Sequence, residues 1–157
     1  MTNEWLMAPG WMERAEMKLE RCNRMTEPYG LVLTQSQMER LTARRREVLR
    51  AAGRVEFGEG VLPRLILAFR DSPYLEQHDY EEQLDGLQEL FYRLKNECGE
   101  GLTDDELIGA MKRLYDGPAG GSLEFLAGVP ADDLRRIGRT GSLKGTEWEE
   151  EPLDENW

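Results

Sequence analysis

The chain has 157 residues, of which 39% are apolar and 32% charged, and its net charge at pH 7 is −11. This length and composition are typical of one globular domain with a modest core. The longest apolar run, residues 65–69, is far shorter than the roughly 20 residues of a membrane-spanning helix, and the first residues do not resemble a secretory signal. We therefore expect a cytoplasmic protein with no membrane segment, in which Cys22 and Cys98 are free and buried.

Predicted helices follow one another along most of the chain, because apolar residues recur at spacings of three and four. The first covers residues 11–22, with Asn23 as its stop. The second runs over residues 34–52. There Thr34 and Gln37 form a capping box, and Gly53 fits a left-handed residue just beyond the end.

The later helices are predicted from the same periodicity. They cover residues 61–69, 79–97, 103–115, 122–127 and 130–137, and Gly138 is expected to stop the last one. Residues 61–69 are apolar on nearly every face, which is typical of a buried central helix.

Two short segments between the first helices predict a minimal β ribbon. Leu31–Leu33 and Val55–Phe57 are apolar or alternating, and the helix between them returns the chain. The fold class is therefore mainly α: a compact domain of five to seven helices. Residues 61–70 are central, residues 34–52 and 79–97 pack on them, and 31–33 pairs with 55–57.

One position in the second helix breaks its apolar seam. Arg45 lies in line with Leu41 and Val48, where an apolar side chain is expected. Either the seam ends there, or Arg45 reaches a carboxylate at the edge of the core.

The acidic residues are concentrated at the C-terminal end. Residues 146–157 contain six acidic residues and no basic one, so the −11 total falls to −5 for residues 1–145. We predict one helical domain over residues 1–138 and an acidic tail over 139–157. We expect no direct nucleic-acid binding, because affinity for phosphates depends on clustered Lys and Arg.

Motifs that carry chemistry are weak in this chain. Gly58-Glu59-Gly60 precedes a helix but lacks the pattern of a phosphate loop, so it is interpreted as a turn. His78 is the single histidine, and we interpret it as solvated or capping rather than paired with a cysteine. We predict no catalytic residue, no cofactor and no metal site.

Two groups of residues are candidates for binding a partner. Six arginines between positions 40 and 54 form the one basic cluster, and the tail sets large apolar side chains among acids. The arginines form either a contact for an acidic partner or RNA, or a solvated face that Glu39, Glu47 and the acidic helix 79–97 balance. The candidate partner-binding residues are Trp148, Leu153, Trp157, Arg44, Arg46 and Arg50.

Several short motifs, in order, resemble a known family. They are Cys22-Asn23, Tyr29–Thr34, Gly53–Gly58, Asp71–Tyr74, Phe91-Tyr92, Lys95–Glu97, Asp104–Leu107, Asp116–Pro118, Gly121–Glu124 and Leu126–Gly128. Together they resemble a bacterial domain-of-unknown-function family of small acidic proteins, over about residues 18–130. The resemblance implies no activity, cofactor or catalytic residue. It implies a partner, a larger neighbouring uncharacterised protein.

The functional hypothesis is a non-enzymatic accessory protein that acts by binding another protein. It rests on the missing catalytic motifs and on the acidic, aromatic tail. One alternative is an acidic decoy that inhibits a basic nucleic-acid-processing protein. A second is a small enzyme with a Glu/Arg cleft beside the turn at residues 58–60, where carboxylates would converge with Arg45 or Arg64.

Overall fold

A computed structural model describes the backbone of residues 10–56, 58 and 60–141, and the side chains of these residues from 18 onward. This part of the chain is mainly α, as predicted. It contains seven α-helices: α1 (Gly10–Thr26), α2 (Gln35–Ala52), α3 (Leu62–Phe69), α4 (Tyr80–Cys98), α5 (Asp104–Asp116), α6 (Leu123–Ala127) and α7 (Ala131–Thr140). None of them combines the length and the apolar character needed to cross a bilayer.

The chain divides into two compact units, residues 1–92 and 93–157, and α4 contributes residues to both. The first unit is built around α3. Leu62, Leu65, Ile66 and Phe69 of this helix are buried while Arg64 is exposed, as its sequence predicts. Helix α1 packs against both α2 and α3.

Ion pairs fix the relation between α2 and the part of α4 that lies in the first unit. Arg40 pairs with Glu81 at 2.7 Å, and Arg44 pairs with Asp85 at 3.1 Å. Because both partners advance by four residues, one helical turn, the two helices run side by side in the same direction. Such partly exposed pairs contribute little free energy, so their effect is mainly on register.

The predicted β ribbon is wrong, since neither segment is a strand in the described residues, and Phe57 lies outside them. The backbone N–H and C=O groups of Leu31–Leu33 already have hydrogen-bonding partners, most of them side chains. The Asn23 amide bonds the N–H and the C=O of Leu33, each at 2.8 Å. The Gln77 amide does the same for Val32, at 2.7 and 2.8 Å. With Leu31 bonded to Thr26, no strand partner is needed.

The ends of two helices differ from the prediction for related reasons. Asn23 does not stop α1, which continues to Thr26, because the Asn23 side chain bonds Leu33 rather than its own helix. Gly138 does not stop α7, which ends at Thr140 and is capped by Gly141 in a left-handed conformation. A Cβ at Gly138 would lie 2.8 Å from Leu102 and 3.0 Å from the Glu106 carbonyl, so this glycine permits close packing inside a helix.

The second unit packs α7 against α5. A full capping box at Thr103 and Glu106 begins α5, as predicted. Arg135 and Arg139, one turn apart on α7, donate to the carbonyls of Cys98 and Gly101 at 3.2 and 2.9 Å. These bonds occupy carbonyl groups that the end of a helix leaves without partners.

The Asn23 clamp predicts a measurable cost. In Asn23→Ala, both half-buried polar groups of Leu33 lose their partners, so we expect the free energy of unfolding to fall by about 2 kcal/mol. Urea unfolding followed by circular dichroism measures this. Gln35→Ala is the control, because the Gln35 amide donates to the exposed Glu39 carboxylate. An equal effect of the two substitutions would contradict the clamp.

Candidate functional site

The strongest polar cluster of the first unit is centred on Arg45 of α2. Its guanidinium is buried, with a side-chain exposure of 6%. Nη1 donates to the Gly58 carbonyl at 2.7 Å, and Nη2 donates to the Glu56 carbonyl at 3.2 Å and lies 4.0 Å from the Glu56 carboxylate. Of the two interpretations of Arg45, the second is therefore confirmed: the side chain reaches a carboxylate at the edge of the core.

Glu56 extends this cluster to α4. The Tyr92 hydroxyl donates to Glu56 Oε1 at 2.6 Å, and the Tyr92 ring makes an edge-to-face contact with Phe91 at 5.1 Å. Burial, reinforced by the bond to the Glu56 carboxylate, raises the pKa of Tyr92 far above its ordinary value. The phenol therefore stays protonated at physiological pH and remains the donor.

Gly60 leaves the space that the Arg45 side chain occupies. A Cβ at Gly60 would lie 2.6 Å from Arg45 Nε and 3.1 Å from Cζ, and the residue has a φ of +82°. Glycine is thus required twice, for backbone conformation and for close approach. The predicted turn at residues 58–60 is therefore shaped around an arginine of the chain itself, although Glu59 lies outside the described residues.

The space beside this cluster is small. A cavity lined by Arg45, Thr42 and Gln88 leaves about 10 Å³ for the centre of a water molecule. This volume suits one water and is far too small for an organic substrate. The Glu/Arg cleft required by the enzyme hypothesis is therefore not found at this position.

The three predicted arginines are not equivalent. Arg44 is engaged within the chain by Glu47 at 2.7 Å, Asp85 at 3.1 Å and Glu89 at 3.9 Å. Arg46 and Arg50 are exposed and lie one turn apart on α2. Arg44 is thus paired within the chain as an internally balanced cluster requires, and Arg44, Arg46 and Arg50 stay predictions as partner-binding residues.

The remaining candidate residues are three residues of the tail, the histidine and the two cysteines. Trp148, Leu153 and Trp157 lie outside the described residues. His78 is exposed and its Nδ1 lies 3.2 Å from Glu76. Cys22 and Cys98 are free and buried, and burial raises the pKa of both thiols, which disfavours the reactive thiolate. Within the described part of the chain, no group of three or more potential ligands could hold a metal ion.

Four exposed apolar side chains of the first unit were not predicted from the sequence as a binding surface. We define the Tyr29 surface as Met25, Tyr29, Val32 and Tyr74, whose exposures are 50%, 51%, 40% and 42%. The first three are close in sequence, and the Gln77 amide holds the loop that contains Tyr74 beside Val32. The sequence does contain one indication of this surface. Val32 lies between Leu31 and Leu33, and in an extended segment its side chain points away from the side on which the two leucines are buried.

The comparison with protein families gives one match. Residues 18–144 match a family of unknown function, DUF6323, and since this covers more than three quarters of the sequence, the chain belongs to that family. The predicted resemblance is confirmed, and the match extends beyond the expected end at about residue 130. No curated protein and no solved structure matches the chain.

The contact between Gly60 and Arg45 predicts different costs for two glycine substitutions. Gly53→Ala places alanine at a φ of +70° in open space, so we expect a loss of about 1–2 kcal/mol in the free energy of unfolding. Gly60→Ala carries the same conformational cost and also displaces a buried, hydrogen-bonded guanidinium, so we expect a loss above about 3 kcal/mol. Chemical unfolding of both variants measures the difference, and equal losses would contradict the contact.

Proposed function

We propose that this protein is a non-enzymatic accessory protein that binds another protein through the Tyr29 surface. The observation that carries the proposal is the exposure of four large apolar side chains, three of them within residues 25–32 and the fourth three residues before Gln77, which bonds Val32. Tyr and Met are enriched at the centres of protein interfaces, and grouped exposed apolar residues are typical of binding surfaces.

The backbone beneath this surface is well held. Both polar groups of Val32 are bonded by Gln77, and both of Leu33 are bonded by Asn23. A preorganised surface loses little conformational entropy when it binds. This supports a docking role for side chains that contribute little to the core.

The charges near the Tyr29 surface point to an apolar occupant. Within four positions of its members, the charged residues are Arg21, Arg24, Glu27, Arg70, Asp71 and Glu76. Three positive and three negative groups leave no net local charge. The partner chemistry that fits is therefore an apolar protein surface or peptide rather than a polyanion, and binding should resist salt.

The acidic decoy remains the alternative of a different class, and it rests on the net charge of −11 rather than on the Tyr29 surface. It requires binding that weakens steeply as salt increases. The tail residues Trp148, Leu153 and Trp157 could serve either function. A chain ending at Gly141, beyond the last residue of α7, would separate their contribution from that of the folded part.

The Tyr29 surface predicts a selective loss of binding in Val32→Glu. Affinity purification from the source organism, with quantitative mass spectrometry, should recover a specific partner at least about tenfold less well with this variant than with the wild-type chain, since interface-centre changes cost 2 kcal/mol or more. Recovery should persist in 0.5 M salt.

Val55→Glu is the matched control, because Val55 is also exposed, at 82%, but follows Arg54 on a segment that Arg45 holds. We expect it to recover the partner like the wild-type chain, and both variants to keep the wild-type melting temperature within a few degrees. Equal recovery with Val32→Glu and Val55→Glu would contradict the proposal. Recovery that disappears in high salt would favour the decoy.

A further inference from the structure

Gln88 of α4 is a fully buried polar residue with an exposure of 0%. Among the described residues, neither Nε2 nor Oε1 of its amide has a hydrogen-bonding partner. A buried amide without partners costs stability, and native proteins avoid it almost everywhere. Because none of the described residues provides a partner, water is the candidate.

The Gln88 side chain borders the cavity described beside Arg45. The cavity leaves about 10 Å³ for the centre of a water molecule and is lined by Leu19, Leu41, Thr42, Arg45, Leu62, Pro63 and Gln88. The lining residues that carry polar side-chain groups are Gln88 of α4 with Thr42 and Arg45 of α2, and the remaining lining residues are apolar.

We propose that this cavity is a binding site for one buried water molecule, coordinated by the Gln88 amide and the Thr42 hydroxyl. A water can accept from Nε2–H and donate to Oε1 of the same primary amide. The Thr42 hydroxyl donates to the Met38 carbonyl at 2.8 Å, so its oxygen still has a lone pair that can accept from the water.

Size and charge select water over other small ligands. The volume corresponds to one water, and two to four polar partners are what a buried water requires. A cation is disfavoured, because Arg45 places a positive charge in the lining and no carboxylate lines the cavity. An organic ligand does not fit.

The bound water would tie α2 to α4 within the first unit. Thr42 lies three residues before Arg45, so the water would lie beside the turn of α2 that carries both residues. The Arg45 guanidinium of that turn bonds the carbonyls of Glu56 and Gly58. The site would thereby add a second polar link to the surface pairs of Arg40 and Arg44 with α4.

The experiment combines a high-resolution crystal structure of the wild-type chain with NMR cross-relaxation between water and protein. The site predicts an ordered water within hydrogen-bond distance of the Gln88 amide and Thr42. It also predicts water cross peaks to the Gln88 side-chain N–H groups and the Thr42 methyl group. If the wild-type chain shows an empty cavity, or a Gln88 amide bonded directly to protein groups, the proposal is overturned.

Variants add a test by stability. Gln88→Met keeps the side-chain length and removes the amide. It should abolish the cross peaks to Thr42, and it should lower the melting temperature or leave it unchanged, because the amide it replaces is already hydrated. Gln83→Met, the same change at a half-exposed position of α4, is the control. A melting temperature that rises in Gln88→Met alone would show a dry, unpaired amide and would overturn the water site. Thr42→Val, which should weaken the water cross peaks to the Gln88 side-chain N–H groups, covers the case in which Gln88→Met does not fold.

Discussion

Burying the guanidinium of Arg45 is the constraint on which the first unit depends. Moving this charge out of water is costly, so it is tolerated only where carbonyl and carboxylate oxygens surround it. The oxygens come from Glu56 and Gly58, and Glu56 in turn accepts from Tyr92 of α4. One side chain therefore joins α2, the irregular segment after it and α4, and the contact at Gly60 leaves little freedom in how that segment turns into α3.

The same principle explains why the extended segments of the described residues form no sheet. Extended segments usually satisfy their backbone groups by pairing with each other. Here the side chains of Asn23, Gln77 and Arg45 provide those hydrogen bonds, each with a planar group that presents two bonding atoms at once. Segments bonded in this way stay short, and one of them leaves Val32 and its neighbours facing solvent as a surface that can bind a partner.

Most helices could be predicted from the sequence because apolar periodicity and capping boxes are local signals, as at Thr34 and Thr103. The ribbon could not be rejected in advance, because the clamps of Asn23 and Gln77 join residues 10 and 45 positions apart. The predicted helix stop at Gly138 was wrong for the same reason. This glycine allows close packing against Leu102, which is distant in sequence, and does not form a turn. At the candidate site, the sequence indicated the unusual position of Arg45, because a charged residue lies there in an apolar seam. Gln88 gave a similar signal, four residues after Leu84, and was overlooked.

NMR of ¹⁵N-labelled arginine side chains tests most directly whether fixed hydrogen bonds hold the Arg45 guanidinium. Rotation about the Nε–Cζ bond should be slow for Arg45, giving separate and slowly exchanging Nη–H signals. Arg50, exposed on the same helix, should give averaged signals. Averaged, rapidly exchanging signals from Arg45 would contradict this account of the first unit.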